Sequence, residues 1–357
     1  APRYCRPGRR RWRVAAGPTL RGPAIRAHPA AMRAWQVHRY GPYREVLELE
    51  DVADPVAPDG GAVIDVAAAS LNFPDLLAIA GQYQVRAPLP FAPGFEAAGV
   101  VCAVGAGSRH KIGDRVVTFA SWGAFAEKLA APDDALLPWP DGLTAEEAAS
   151  FLVTYQTGYV GLVRRAQLRA GETVLVLGAA GGTGLAAIQL AKALGARVLA
   201  VAGGAAKQAA CRAAGADLAI DHQTEELVAA VTAATDGRGV DVVYDPVGGD
   251  ATERAQKVLA WEGRLLVIGF ASGTIPAVKL NRVLLKNIAV VGLHWGAYFG
   301  HDRGVIVDAH RDLCALVARG AIRPVVSRTV PLADLPTGLD ALAARQVIGN
   351  VAVRIAP

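Results

Sequence analysis

Thr173-Val174-Leu175-Val176-Leu177-Gly178-Ala179-Ala180-Gly181-Gly182-Thr183-Gly184 passes from an apolar, β-branched run into a cluster of small residues. Leu185-Ala186-Ala187-Ile188-Gln189-Leu190-Ala191-Lys192-Ala193-Leu194-Gly195 follows with a helical apolar pattern. That order predicts a buried strand, a tight turn and a helix N-terminus, the phosphate-binding start of a dinucleotide fold. Gly181 lets the backbone approach a pyrophosphate, and Gly184 lets the helix pack closely on the strand. The free N–H groups of the first helical turn, with the helix dipole, face the anion. Ala179 stands where G-x-G-x-x-G has its first glycine, and a glycine cluster of this kind also serves a plain strand-to-helix turn.

The next apolar run, Arg197-Val198-Leu199-Ala200-Val201-Ala202, lies where a second parallel strand is due after a crossover helix. An NAD site places Asp or Glu at the end of that strand, to bond the ribose 2′-hydroxyl. This chain continues Ala202-Gly203-Gly204-Ala205-Ala206-Lys207, with no acid and a cation close behind. A carboxylate repels a 2′-phosphate and an ammonium attracts it, so Lys207 is a candidate phosphate ligand. Its alternative is a solvated helix lysine.

The 357 residues suffice for two domains, and an apolar fraction of 52% with 19% charged residues suits a compact α/β enzyme. No apolar run reads as a membrane span. Cys5, Cys102, Cys211 and Cys314 are scattered without C-x-x-C spacing. That pattern argues for a reducing compartment, and a cytoplasmic location is expected. The net charge of +5 comes from eight arginines within residues 1–31, and the remainder carries about −3. The body therefore lacks a nucleic-acid footprint. Residues 1–31 have no apolar periodicity and read as a basic arm, a transit peptide or sequence upstream of a start at Met32, the reading favoured here. They are expected to lie outside the fold.

From Met32 the pattern is β-rich, with Met32-Val37 and Gly61-Val66 as strands between Pro, Gly and Asp turns. Asn72-Phe73-Pro74-Asp75 through Tyr83 reads as a loop entering a short helix that ends at Gly81. Alternating βα units run from about Phe151 to about Gly300, with strands at Val240-Asp245, Gly263-Gly269 and Asn287-Gly292. Helices at 308–320 and 335–345 lead to a closing strand, Asn350-Arg354.

Gly94-Phe95-Glu96-Ala97-Ala98-Gly99, Gly113-Asp114-Arg115-Val116, Ala179-Ala180-Gly181-Gly182-Thr183-Gly184 and Gly263-Arg264-Leu265-Leu266-Val267-Ile268-Gly269-Phe270 occur in this order and spacing. Together they resemble the quinone oxidoreductase (zeta-crystallin-like) branch of the medium-chain dehydrogenase/reductase superfamily, over nearly all of Met32 to Pro357. The resemblance implies an α/β protein in which a Rossmann doubly wound parallel sheet (153–302) is inserted in a GroES-like β-barrel domain (32–152 plus 303–357). It implies an active site in the cleft between them, NADPH as hydride donor and a homodimer formed through the Rossmann sheets.

Zinc-dependent relatives carry G-H-E, an earlier cysteine ligand and a four-cysteine lobe. Here the histidine position is Phe95, and no cysteine lies between Met32 and Phe95. The ligand set for zinc is missing, so no metal is expected. Without a Lewis acid, alcohol oxidation is hard, whereas hydride delivery to a quinone or enone needs only placement and a few donors for the developing oxyanion.

The resemblance carries Asn72 and Tyr83 onto positions that line the nicotinamide and substrate, with Leu77 where relatives have an intermediate tyrosine. Taken alone, Asn72 is also a helix cap and Tyr83 an amphipathic residue at a domain edge. Asp75 reads as a first-turn acid. Trp122 and Trp295 are candidate pocket walls or core residues. Cofactor contacts are expected at Ala180, Gly181, Gly182, Thr183, Gly184 and Lys207. The resemblance adds Gly269, Phe270, Ala271, Leu293, Trp295, Asn350 (often lysine in relatives) and His222, where relatives have a tyrosine near the 2′-phosphate. By itself His222 reads as surface or cap material. The function expected is NADPH-dependent hydride transfer to a small-molecule quinone or similar conjugated carbonyl, with no nucleic-acid or membrane partner. The alternatives are an enoyl thioester reductase, with Arg86 and Arg303 available for a carrier phosphate, and a catalytically idle nucleotide- or RNA-binding relative.

Overall fold

Short apolar strands broken by Pro, Gly and Asp turns build the first unit of the computed structural model, which describes residues 31–356. All but the last residue of the N-terminal arm lies outside the described residues. β1 (Ala31–Val37) and β2 (Leu47–Ala53) form an antiparallel pair. β3 (Gly61–Leu71), β4 (Glu96–Val104), β5 (Arg115–Phe119), β6 (Lys128–Pro132) and β7 (Leu136–Pro138) belong to a larger sheet.

The second sheet is drawn from the middle of the chain. Its strands are β8 (Thr173–Val176), β9 (Arg197–Val201), β10 (Leu218–Ile220), β11 (Val240–Asp245), β12 (Leu259–Val267) and β13 (Ala289–Gly292). All pair in parallel, in the order β10-β9-β8-β11-β12-β13. The order reverses between β8 and β11, which opens a crevice beyond the carboxyl ends of these strands.

The chain then returns to the first sheet with β14 (Val326–Pro331) and β15 (Asn350–Arg354). β15 pairs antiparallel with β3, placing Val351 opposite Leu71. The first sheet runs β14-β15-β3-β4-β5-β7, with β6 against β3. A doubly wound sheet is thus inserted in a GroES-like β unit, the fold class expected.

Alternation along the parallel strands explains the packing. Val174, Val176, Ala200 and Val242 join one apolar cluster, whereas Leu175, Leu177, Leu199 and Val243 join another on the opposite face. The first cluster continues through Phe151, Tyr155 and Trp295 to Ala98 and Val117 of the other sheet. One core therefore spans both units and fixes the cleft between them.

Some boundaries differ from the sequence reading. The strand expected from Gly61 runs on to Leu71, because its pairing with β4 and β15 continues past Val66. The strand expected from Asn287 starts at Ala289, since Asn287 takes a left-handed φ of 51° that caps the helix Leu280–Lys286. The helix expected from Asp308 begins at Arg303 and ends at Ala318.

Candidate active site

The glycine turn fits a dinucleotide phosphate. The helix Gly182–Ala193 begins at this turn, and Gly178 has φ +57°. A Cβ on Gly181 would meet only Gly178 O, at 3.5 Å, which leaves room for a ligand. A Cβ on Gly184 would lie 2.5 Å from Gly178 O and 2.7 Å from the Ala179 backbone. Gly184 is therefore needed for close helix–strand packing. A Cβ on Gly182 would land on Asn350 Oδ1, so this glycine makes room for another part of the protein. Asn350 is buried at the start of β15 and donates from Nδ2 to Val325 O at 3.2 Å. Gly349 N donates to Ala180 O at 2.7 Å. The returning segment thus crosses the turn directly, with Ala180, Gly181, Gly182 and Asn350 in one place. Thr183 follows in the first helical turn.

Beyond β9, a Cβ on Gly203 would stand 2.9 Å from His222 Nε2. Lys207 is half-buried, and its Nζ donates to Arg345 O at 2.6 Å. Arg345 in turn donates from its guanidinium to Ala271 O at 2.9 Å. Lys207, Arg345 and Ala271 are thereby linked, with His222 at the same strand end. Two features here were missed in the sequence. Arg345 is far away in the chain and belongs to no motif. Asp221, at the end of β10, brings a carboxylate to the Gly203-Gly204 turn that the local sequence lacks. It accepts from Gly204 N at 3.0 Å, Gln208 Nε2 at 2.9 Å and Gln223 N at 3.0 Å. Those donors hold its pKa below the usual carboxylate range.

The carboxyl ends of β12 and β13 supply the other wall. Leu293 N donates to Val267 O at 3.0 Å, and Ala271 N to Pro246 O at 3.0 Å beside Gly269. Phe270 is exposed. Trp295 is buried, and its Nε1 donates to Gln156 Oε1 at 3.1 Å. Trp122 is 36% exposed, so it is not the core residue that was the alternative for it.

On the acceptor side, Asn72 precedes the helix Phe73–Ile79. Its backbone N–H donates to Asp75 Oδ2 at 2.6 Å, and its side-chain Nδ2 to Glu96 Oε1 at 2.9 Å. Glu96 Oε2 accepts from Val153 N at 2.8 Å, at the start of the helix Leu152–Tyr159. Both carboxyl groups are fully buried. Burial pushes Glu96 up to about 7, against the pull of donors from Asn72, Val153 and Ser70. Burial also raises Asp75 well above the carboxylate range, and the charge of Glu96 adds to it. The signal that could have found Glu96 is an acid inside the apolar run of β4.

Tyr83 packs its ring 5.2 Å from that of Phe95. Phe95 lies 6.2 Å from Phe119, and Phe119 lies 4.9 Å from Trp295. The row joins Tyr83 to Trp295 across the cleft. Burial raises the Tyr83 pKa, so its hydroxyl stays protonated and able to donate. Among the described residues, one group of three metal-ligand side chains occurs, His38, Glu48 and Glu50, on β2 and just beyond β1.

A parallel dinucleotide sheet, with its glycine turn crossed by a strand of a GroES-like unit, defines a two-domain dehydrogenase or reductase. Residues 58–141 match the alcohol dehydrogenase GroES-like domain, and residues 182–306 match the zinc-binding dehydrogenase domain. Mouse quinone oxidoreductase-like protein 2 is 38% identical over 284 residues, 79% of this chain and 81% of that protein. The Escherichia coli quinone oxidoreductase complexed with NADPH superposes with a TM-score of 0.83 at 32% identity, covering 90% of this chain and 99% of that one. For the Thermus thermophilus quinone oxidoreductase, also solved with NADPH, the TM-score is 0.79 at 38% identity, covering 90% and 100%. The chain belongs to the quinone oxidoreductase branch of the medium-chain dehydrogenase/reductase superfamily, and it is an oxidoreductase.

Proposed function

We propose that the protein reduces a quinone or a similar conjugated carbonyl at the expense of NADPH, without zinc. NADPH is its cofactor, as the relatives solved with that nucleotide support, and supplies the hydride. The observation that carries the acceptor reading is Tyr83 at the end of an aromatic row, where burial favours its neutral hydroxyl. Flat conjugated acceptors suit aromatic walls, and a neutral hydroxyl donates to the oxyanion that forms as the acceptor is reduced. Phe95, where a zinc-binding histidine would be, contributes a ring to that row and no ligand atom.

On this reading Ala180, Gly181, Gly182, Thr183 and Gly184 hold the pyrophosphate, with Asn350 closing the turn. Lys207 and His222 take the 2′-phosphate, and Arg345 is a second cation at that corner. Gly269, Phe270, Ala271, Leu293 and Trp295 line the nicotinamide end, opposite Asn72 and Tyr83. The working units are residues 32–152 with 303–357, and residues 153–302.

A cytoplasmic homodimer fits the same reading. β13 is an edge strand with Val290 42% exposed, and the neighbouring helix exposes Leu280, Leu284 and Leu285. Sedimentation of the protein at twice the chain mass would support the pairing. The enoyl thioester alternative is less favoured. Arg303 is committed to Asp134 O at 2.9 Å, and Arg86 lies over the Tyr40 ring at 5.8 Å.

The test is a panel of quinones, enones and enoyl-CoAs, each with NADPH and NADH, read as loss of reduced-nucleotide absorbance. Quinones or enones with NADPH are expected to turn over fastest, and to do so after exhaustive chelation. Faster turnover of enoyl-CoAs, or loss of activity with the chelator, would overturn the reading.

A further inference from the structure

Asp75 and Glu96 have no role in the hydride transfer as assigned, yet both are fully buried at the turn that carries Asn72. Among the described residues, no cation is one of the groups that shift either one. Two neighbouring buried carboxylates without a cation do not both stay charged. The hydrogen bonds show which one keeps the charge. Both oxygens of Glu96 accept N–H groups, from Asn72 and Val153, and the Ser70 hydroxyl faces this carboxyl more loosely. Asp75 accepts Asn72 N–H on Oδ2, while Oδ1 is buried without a hydrogen bond among the described residues; the Phe95 amide faces this carboxyl more loosely. The negative charge is better solvated at Glu96, so the proton belongs on Asp75.

The polarity of the Asn72 amide follows from this. A carboxylate only accepts, so ionised Glu96 requires the Nδ2 end of Asn72 and leaves its carbonyl oxygen, which also leans toward the Asp75 backbone N–H as the cap of the helix Phe73–Ile79, for a donor in the cleft. A protonated Glu96 is able to donate to that oxygen instead, turning Nδ2 outward. We propose that Asp75 and Glu96 are a one-proton positioning pair that sets which end of the Asn72 amide faces the reacting molecules, with Asp75 neutral and Glu96 anionic in the working state. The proposal rests on Asn72 lining the site, as the proposed function has it.

Glu96 changes state near neutral pH because burial holds it at about 7. The groups that face it are Ser70 from β3, Asn72 and Asp75 from the helix turn, and the Val153 amide. Phe119 is its partner on β5, and Tyr83 lies beyond Asp75. Glu146 and Glu147, on the helix packed against β4, are turned to Arg354 and Arg323. As pH falls through about 7, Glu96 gains a proton and the working polarity of Asn72 is lost. Its folded pKa is raised above the ordinary 4.5, so the folded state binds the proton more tightly. Stability therefore falls as pH rises between those two values, and Glu96→Gln, neutral throughout, lacks that fall.

The experiment combines infrared spectra of the cofactor-free protein with steady-state rates, from about pH 5 to about pH 9. One buried protonated-carboxyl band is expected to persist at the alkaline end and to vanish in Asp75→Asn. A second is expected to grow in below about pH 7 and to be absent in Glu96→Gln. In wild type, kcat/KM with NADPH and a quinone should fall about tenfold across the same midpoint, while Glu96→Gln is flat at the lower level. An alkaline band that survives Asp75→Asn, or a Glu96 midpoint that drops by about a unit in that variant, means Asp75 was charged and overturns the pair. A Glu96→Gln profile that keeps the wild-type inflection also overturns it and leaves the acceptor reading standing. Spectra as expected with no quinone turnover in wild type sink the acceptor reading instead. Should Glu96→Gln fail to fold, the spectra of wild type and Asp75→Asn decide.

Discussion

At the glycine turn a single added Cβ would lie 2.5 Å from Gly178 O, whereas at the Asn72 turn the contacts are hydrogen bonds of 2.6 and 2.9 Å to buried acids. The cofactor half of the cleft is built from backbone and empty space. The acceptor half is built from polar side chains and rings held against one another. Backbone geometry depends on residues adjacent in the chain. The acceptor side gathers Asn72 and Tyr83, Glu96, Phe119 and Val153 from four separate segments. The first half fails by steric exclusion and the second by loss of orientation or charge, so their variants should differ in kind.

Gly184→Ala is expected to have the largest effect. The new methyl meets backbone at 2.5 and 2.7 Å, and no side-chain rotation relieves it. The helix has to move off β8, at a cost of about 3 kcal/mol or more, with NADPH affinity down at least about a hundredfold. Thermal unfolding and nucleotide titration check this; near-wild-type values in both would mean the helix adjusts freely and the backbone half is less rigid than its contacts imply.

Tyr83→Phe should act on the other half alone. It keeps the ring against Phe95 and removes only the donor. The expected loss is about tenfold to a hundredfold in kcat/KM for a quinone, with NADPH affinity unchanged. An unaltered rate, with a deuterium isotope effect showing that hydride transfer limits turnover, would reduce Tyr83 to a packing residue.

Lys207→Ala should have the smallest effect. Its Nζ keeps one bond to Arg345 O and is partly open to solvent, so screening trims its attraction for a 2′-phosphate. NADPH is expected to bind at least about tenfold tighter than NADH at low salt, with most of that gap lost in the variant. Paired titrations measure it. A preference that survives would transfer the role to Arg345, and equal affinities in wild type would remove the phosphate site from this corner.

Much of the cofactor half was legible in the chain. The run Thr173 to Gly195 carries strand, turn and helix in order, and Gly184 had to be small for a reason that its neighbours state. Gly182 was less legible, because the space it leaves is taken by Asn350, 168 positions later. The sequence around Ala202 indicated that no acid serves that strand end. Asp221 nevertheless reaches the next turn from β10, because parallel pairing sets Ile220 beside Val201. On the acceptor side Asn72 and Tyr83 were marked by resemblance, while Glu96 was marked only by being an acid in the otherwise apolar run of β4, which says nothing of its partners.

The sequence by itself determined the phosphate-binding turn and the strands with clear apolar runs, such as β1, β3, β8, β9 and β11, whereas β2, β6, β7, β10 and β14 were not read from it. What was read depends on apolar periodicity, turn residues or sterics among near neighbours, which short stretches encode. Only the tertiary structure decided the chemistry of the acceptor side. Pairing β3 with β4 and docking the helix Leu152–Tyr159 bury Glu96 beside Asp75, and burial turns two ordinary acids into groups with raised pKa values. Desolvation depends on everything that packs around a group, and that environment comes from parts of the chain far apart in sequence.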